Sequence, residues 1–229
     1  MAIDDDLLFA AQRGDRAAVE EMLAQMYPAV SRIAFALAGR EDVGRGVLRF
    51  VATQAVRWMG QWRDAQAAER WFYHHTVLIG RRAAHHEVAP GSDTLLGEAA
   101  DAPYIAFLRA IRSLPQQQRE AFILNHGEHL NTRDLAIAMD CSTHAAEMHL
   151  KAAEQSLSAM AGEGHVAMTA RMSGAYAALA PAEDTLRPTV RSIVKSAIWP
   201  RRLRQVTIGV IVVAIVVAAA WVAWRATGK

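Results

Sequence analysis

Apolar residues recur every three to four positions along most of this chain, the spacing of helices with one buried face. Asp15 is placed to cap a helix that begins at Arg16 and carries Val19, Met22, Leu23 and Met26 on one side. Pro28 is expected to restart it, with Val30, Ile33, Ala34 and Leu37 continuing the face. A third helix is predicted from about Glu41 to Met59 or Gly60 (apolar at Val43, Val47, Phe50, Val51 and Val56), and a fourth from about Ala65 to His86. The segment EVAPGSDTLLGEAAD, Glu87 to Asp101, is rich in breakers and acids and reads as a linker. A second helical group runs from about Tyr104 to Ser158. Within it, LNTRDLAIAMDCSTHAAEMHLKAAEQSL (Leu130 to Leu157) has the rhythm of a helix-turn-helix: a short helix to Met139, a polar turn at Asp140-Cys141-Ser142, and a longer helix from Thr143. Ala146, Leu150, Ala153 and Leu157 then point inward. No strand-like alternation is sustained, so the expected class is all-α.

One stretch abandons the amphipathic rhythm. Val206 to Trp224 (VTIGVIVVAIVVAAAWVAW) holds 19 residues without a charge. As a helix it is roughly 28 Å long, close to the ~30 Å hydrocarbon core of a bilayer. Lys195, Arg201, Arg202 and Arg204 precede it, against Arg225 and Lys229 after it. The positive-inside bias places the preceding domains in the cytoplasm. The expected organisation is a helical domain at 5–86, a linker at 87–102, a helix-turn-helix domain at 103–160, a tether at 161–205 with helix-compatible stretches at His165 to Leu179 and Thr185 to Ala197, and a transmembrane helix at 206–224. The localisation expected from it is the inner, cytoplasmic membrane, crossed once.

Charge sharpens the division. Residues 1–160 carry 16 Lys and Arg against 20 Asp and Glu, whereas residues 161–229 carry 9 against 3. The basic character therefore belongs to the tail and suits the membrane side rather than a nucleic-acid face. The single Cys141 excludes an internal disulfide and fits a reducing compartment. The acidic start, Met1 to Asp6, lacks the apolar core of a secretory signal. No phosphate loop, dinucleotide fingerprint, nucleophile elbow or HExxH occurs, so catalysis has no support in the sequence. The histidines His74-His75, His85-His86, His126 and His129 lack a companion Cys or carboxylate at ligand spacing, and no metal or cofactor is expected.

The run Ile111-Arg112-Ser113-Leu114-Pro115, followed by Arg119-Glu120-Ala121-Phe122, resembles the opening of domain 4 in extracytoplasmic-function (ECF) RNA polymerase sigma factors. The helix-turn-helix at Leu130 to Leu157 then falls where that family has its own. Phe9-Ala10-Ala11-Gln12-Arg13-Gly14-Asp15, Tyr27-Pro28, Glu41-Asp42-Val43 and Trp71-Phe72 are similar to domain 2 landmarks, in order, so that the likeness covers roughly residues 5–160. It implies a binding module rather than an enzyme. Domain 2 would engage the polymerase clamp and melt the minus-ten element, and domain 4 would read the minus-35 element. The partners implied are core RNA polymerase and promoter DNA, with a regulatory protein as a further one. The polymerase residues implied are Glu41, Asp42, Arg45 and Arg49. The DNA residues are Trp71, His74, His75, Arg81 and Arg82 in the first domain, and Arg133, Thr143, His144, Glu147, Met148, His149 and Lys151 in the second.

Departures from the family pattern bear on affinity. Where the family has a Gln-Glu pair facing the clamp, this chain has Arg45-Gly46, preceded by Gly44. Two helical glycines cost about 1 kcal/mol each relative to alanine. Leu78 stands where an Asn faces the melted strand, and Trp71 reads either as a core aromatic or as a base contact. Family members place cations where Glu147, Ala152 and Glu154 stand, and Glu147 is spaced to pair with Lys151. Strong independent minus-35 binding is therefore not expected, since phosphate neutralisation supplies most affinity for DNA. Three functions remain open: a membrane-anchored sigma factor, a sigma-like adaptor or sequestering protein without its own DNA binding, and a tethered helix-turn-helix regulator.

Overall fold

The computed structural model describes residues 3–83, 88, 91–97 and 101–197; the predicted transmembrane helix and the pair His85-His86 lie outside them. Among the described residues there is no strand, and no helix is long and apolar enough to cross a membrane.

The first domain contains α1 (Asp5–Gln12), α2 (Arg16–Ala38), α3 (Glu41–Trp58) and α4 (Ala65–Ala83). The first two helices start at side-chain caps. Asp4 accepts from the Leu7 amide, and Asp15 accepts from the amides of Ala17 and Ala18. Gly39 ends α2 in the left-handed region at φ 67°. A Cβ there would also come within 2.7 Å of Val88 and 3.0 Å of the Arg112 guanidinium. Contrary to expectation, Pro28 does not restart the helix: α2 runs through it unbroken. Proline removes one intrahelical bond, but Met26, Tyr27, Ala29 and Val30 on both sides are buried, and that packing holds the two halves in line.

The second domain contains α5 (Ala102–Ser113), α6 (Gln116–Glu128), α7 (Thr132–Met139) and α8 (Thr143–Ala161). Asn131 caps α7 by accepting from Asp134, Ser142 caps α8 by accepting from Ala145, and Asp140 closes α7 in the left-handed region at φ 57°. The predicted inward stripe is present: Ala146, Ala153 and Leu157 are buried, and Leu150 packs beside them.

Two expectations about connectors are corrected. The 87–102 segment is not a free linker where it is described. Asp93 is buried and accepts two hydrogen bonds from Arg112, at 2.8 and 2.7 Å, while Arg112 also donates to the Ala36 carbonyl at 2.8 Å. Thr94 bonds to the end of α2 through its amide (Gly39 O, 3.1 Å) and its hydroxyl (Phe35 O, 2.7 Å). Leu95 is wholly buried, and its carbonyl accepts from the Tyr104 hydroxyl at 2.8 Å. These few residues bolt α2 to α5.

Nor do residues 165–197 trail away as a tether. α9 (His165–Ala177) buries Met172 and Tyr176 in the core of the second domain. A tenth helix, α10 (183–197), buries Val190, Ile193, Val194 and Ala197 in the core of the first. Burying such side chains is worth about 1.5–3 kcal/mol each for the larger ones, which an extended tether would forgo.

The domains share a broad contact. Ile33, Ala36, Leu37 and Val77, all from the first domain, belong to the apolar cluster of the second. Around it stand ion pairs whose carboxylates are nearly excluded from water: Arg32 with Glu128 (2.7 Å) and Arg81 with Glu120 (2.8 Å).

Candidate nucleic-acid interface

Five of the side chains expected to meet DNA, Trp71, His74, His75, Arg133 and Thr143, come together across a cleft. On α4, Trp71 stacks on His75 with ring centroids 4.0 Å apart and planes 20° from parallel. Trp62 lies 5.2 Å from Trp71, and His74 sits edge-on to His75 at 5.2 Å. His75 Nδ1 lies 3.1 Å from the Trp71 carbonyl. Burial first, and the neighbouring His74 second, lower the His75 pKa and favour a neutral ring. Opposite stands the helix-turn-helix. Arg133 of α7, the turn Asp140-Cys141-Ser142 and Thr143 of α8 form the other wall of a cleft of about 790 Å³, with Arg70, Trp71, His74 and His75 across from them. Trp71 packs against the first core and also lines the cleft.

The other candidates divide between committed and available groups. Arg81 is committed. It makes a two-pronged ion pair with Glu120 (3.0 and 2.8 Å) and donates to the Met139 carbonyl at 3.1 Å, so in this conformation it joins the domains and does not present a cation to DNA. Arg82, Thr143, His144, Glu147, Met148 and Lys151 are exposed, and His149 is half-buried. No ion pair joins Glu147 to Lys151 among the described residues, so both ends of α8's outer face point to solvent. Glu154 turns instead to α6, 3.1 Å from His126.

On α3 the predicted polymerase residues neutralise one another. Glu41 pairs with Arg45, and Asp42 pairs with Arg40 at 2.7 Å. That pairing, chiefly the hydrogen bond from Arg40, lowers the Asp42 pKa. Arg49 is exposed. Phe50, expected in the core, is 48% exposed, and Trp58 two turns on is 45% exposed. A spacing of eight puts both on one face beside Arg49 and Arg57. The sequence signal for this patch was present, because Val47, Val51 and Val56 already fill the inward face. The two α3 glycines also differ: a Cβ at Gly44 would lie 2.5 Å from the Phe35 ring and 2.9 Å from its Cα, whereas Gly46 faces open space. Gly44 lets α2 and α3 approach closely, and its cost in helix propensity is the condition of that contact.

Among the described residues no three His, Cys, Asp or Glu side chains converge as metal ligands do. The plainest element of the arrangement is the second domain. Residues 104–157 match the family model described as sigma-70, region 4. The match takes in α5 to most of α8, with the helix-turn-helix at its end. Among solved structures, the chain is similar to one described as CnrH in complex with the cytosolic domain of CnrY, at 17% identity and a TM-score of 0.54. That similarity covers 69% of this chain and 96% of the other, and it is a likeness of fold. No curated protein matches.

Proposed function

We propose that this chain is a sigma-type transcription initiation factor of the extracytoplasmic-function kind, held at the cytoplasmic membrane by residues 206–224. The observation that carries the proposal is the region 4 match at 104–157, on a helix-turn-helix that a second helical domain accompanies. In this reading polymerase supplies all the chemistry. The α3 patch of Phe50, Trp58 and neighbouring arginines meets the clamp, α8 meets the minus-35 element through Thr143, His144, Met148 and Lys151, and Trp71 and His74 meet the melted strand. In this reading the flanking cations hold the helical domains in the cytoplasm.

A second reading, a sigma-like adaptor that binds another protein and not DNA, is favoured by Arg81's burial against Glu120 and by the absence of a carboxylate at Arg45-Gly46. One preparation separates the two. Residues 1–199 contain every helix described and lack the apolar run. They are tested for co-elution with core RNA polymerase and then for promoter-dependent transcription. Co-elution with transcription is the expected result. Co-elution without it selects the adaptor, and no contact with polymerase refutes the sigma reading. Protease accessibility of the full chain in sealed inner-membrane vesicles tests the anchor and its direction.

A further inference from the structure

We propose that residues 165–197 are an intramolecular strap that holds the two helical domains closed over the cleft between α4 and the helix-turn-helix. Its consequence for promoter binding rests on the sigma reading; the strap itself rests on contacts alone.

The segment is seated on both domains. On the second, the Tyr176 ring lies flat against α6 where Gly127 leaves room: a Cβ there would approach ring carbons to 2.6 Å. The Tyr176 hydroxyl donates to Glu128 at 3.0 Å, and Glu128 also holds Arg32 of α2. The chain then crosses over. The Leu179 carbonyl accepts from the buried Ser31 of α2 at 3.0 Å. On the first domain, α10 buries Val190 and Val194, while Arg187 reaches Glu21 at 3.0 Å and Arg191 reaches Glu20 at 3.5 Å. Only residues 178–182 join α9 to α10. So short a connector cannot span separated domains while both helices stay seated. Opening the cleft requires that one seat be vacated.

What the closed arrangement fixes is the separation of the two walls. Arg133 and Thr143 stand on one wall of the cleft and Trp71, His74 and His75 on the other, while His144, Glu147, Met148 and Lys151 of α8 stay exposed outside it. The region 4 match ends at residue 157, before the strap begins, so the strap is an addition to the matched domain.

The test uses the full chain in detergent micelles, with native Cys141 as reporter, because it lines the cleft and is half-buried. The measured quantity is its rate of reaction with a bulky maleimide. Gly127→Ala drives the Tyr176 ring from its seat while improving α6 itself, and is expected to raise the rate about tenfold. Val194→Asp, which unseats α10, is expected to do the same. Gly174→Ala should act oppositely. It meets open space on α9, a 13-residue helix that is marginal once released, and should slow the reaction about fivefold. Parent rates in Gly127→Ala and Val194→Asp with an unchanged circular dichroism spectrum would overturn the strap. If those variants lose helix, Gly174→Ala still decides, since a rate equal to or above the parent's overturns the proposal. Co-elution with core polymerase is measured on the same samples. Faster labelling with no polymerase contact in parent or variant would leave the strap standing and remove the sigma reading.

Discussion

The Arg81–Glu120 pair is the sharpest quantitative handle on how the domains adhere. Glu120 is 2% exposed, and both carboxylate oxygens are held by Arg81. Replacing Arg81 by Met keeps most of the apolar stem and removes the partner, leaving a carboxylate out of water with nothing to balance it. Breaking a buried pair in this way costs ~3–5 kcal/mol. Arg81 itself is 27% exposed, so water can follow the lost guanidinium inward, and the lower end, about 3 kcal/mol, is the expected value. Removing both charges, Arg81→Met with Glu120→Leu, should return stability to within about 1 kcal/mol of the parent, because desolvation of the pair offsets much of its attraction. Urea unfolding of residues 1–199, followed by circular dichroism, measures both variants and their coupling. A loss below about 1 kcal/mol for Arg81→Met, or a double variant as unstable as the single one, would refute the account of this pair as a buried interdomain contact.

Other consequences follow from the same contacts. Gly44→Ala should destabilise by about 1–3 kcal/mol because its Cβ meets Phe35, while Gly46→Ala, which meets nothing, should stabilise by up to about 1 kcal/mol; thermal midpoints of the two should move in opposite directions. His126 has its pKa lowered by burial, with the Glu154 hydrogen bond opposing, and burial lowers that of His75. For groups with depressed folded-state values, stability is full above the unfolded histidine value near 6.5 and falls as pH drops through the folded values. The midpoint should therefore fall between pH 7.5 and pH 5.5, and fall less in a His75→Gln, His126→Gln variant; an identical slope would exclude these two groups as the cause. Glu147 is exposed and has no ion pair among the described residues, so Glu147→Lys in the Gly127→Ala background should steepen the salt dependence of DNA binding by about 0.9 in log–log slope. An unchanged slope in a filter-binding series would show that this face does not meet phosphate.

How far each feature could be read along the chain depended on the range of the forces behind it. Asp15 and the stripe of Ala146, Ala153 and Leu157 act within one or two helical turns, and the cap and inward face they predict are present. The region 4 resemblance was likewise carried by local residues, from Leu114-Pro115 to Leu157, and the matched segment coincides with it. Phe50 was misassigned because helical spacing alone does not say how wide the buried face is. Arg81 was assigned to DNA because its partner Glu120 lies 39 residues away. The contact of Glu154 with His126 is not legible in sequence because the two lie on different helices.

Periodicity and capping chemistry thus suffice to establish the all-α class of the described residues, the helix-turn-helix and the 19-residue apolar run at Val206 to Trp224. Those are properties of neighbours in sequence, set by side-chain spacing and backbone hydrogen bonding. The tertiary structure alone decided that the acidic linker is a bolt, that the supposed tether is seated on both domains, and that Trp71, His74 and His75 stand across a cleft from Arg133 and Thr143. Each depends on partners far apart in the chain: Asp93 with Arg112, Tyr176 with Glu128, and Ser31 with Leu179. An amphipathic helix records that it has a face to bury, and only the assembled core determines what that face is buried against.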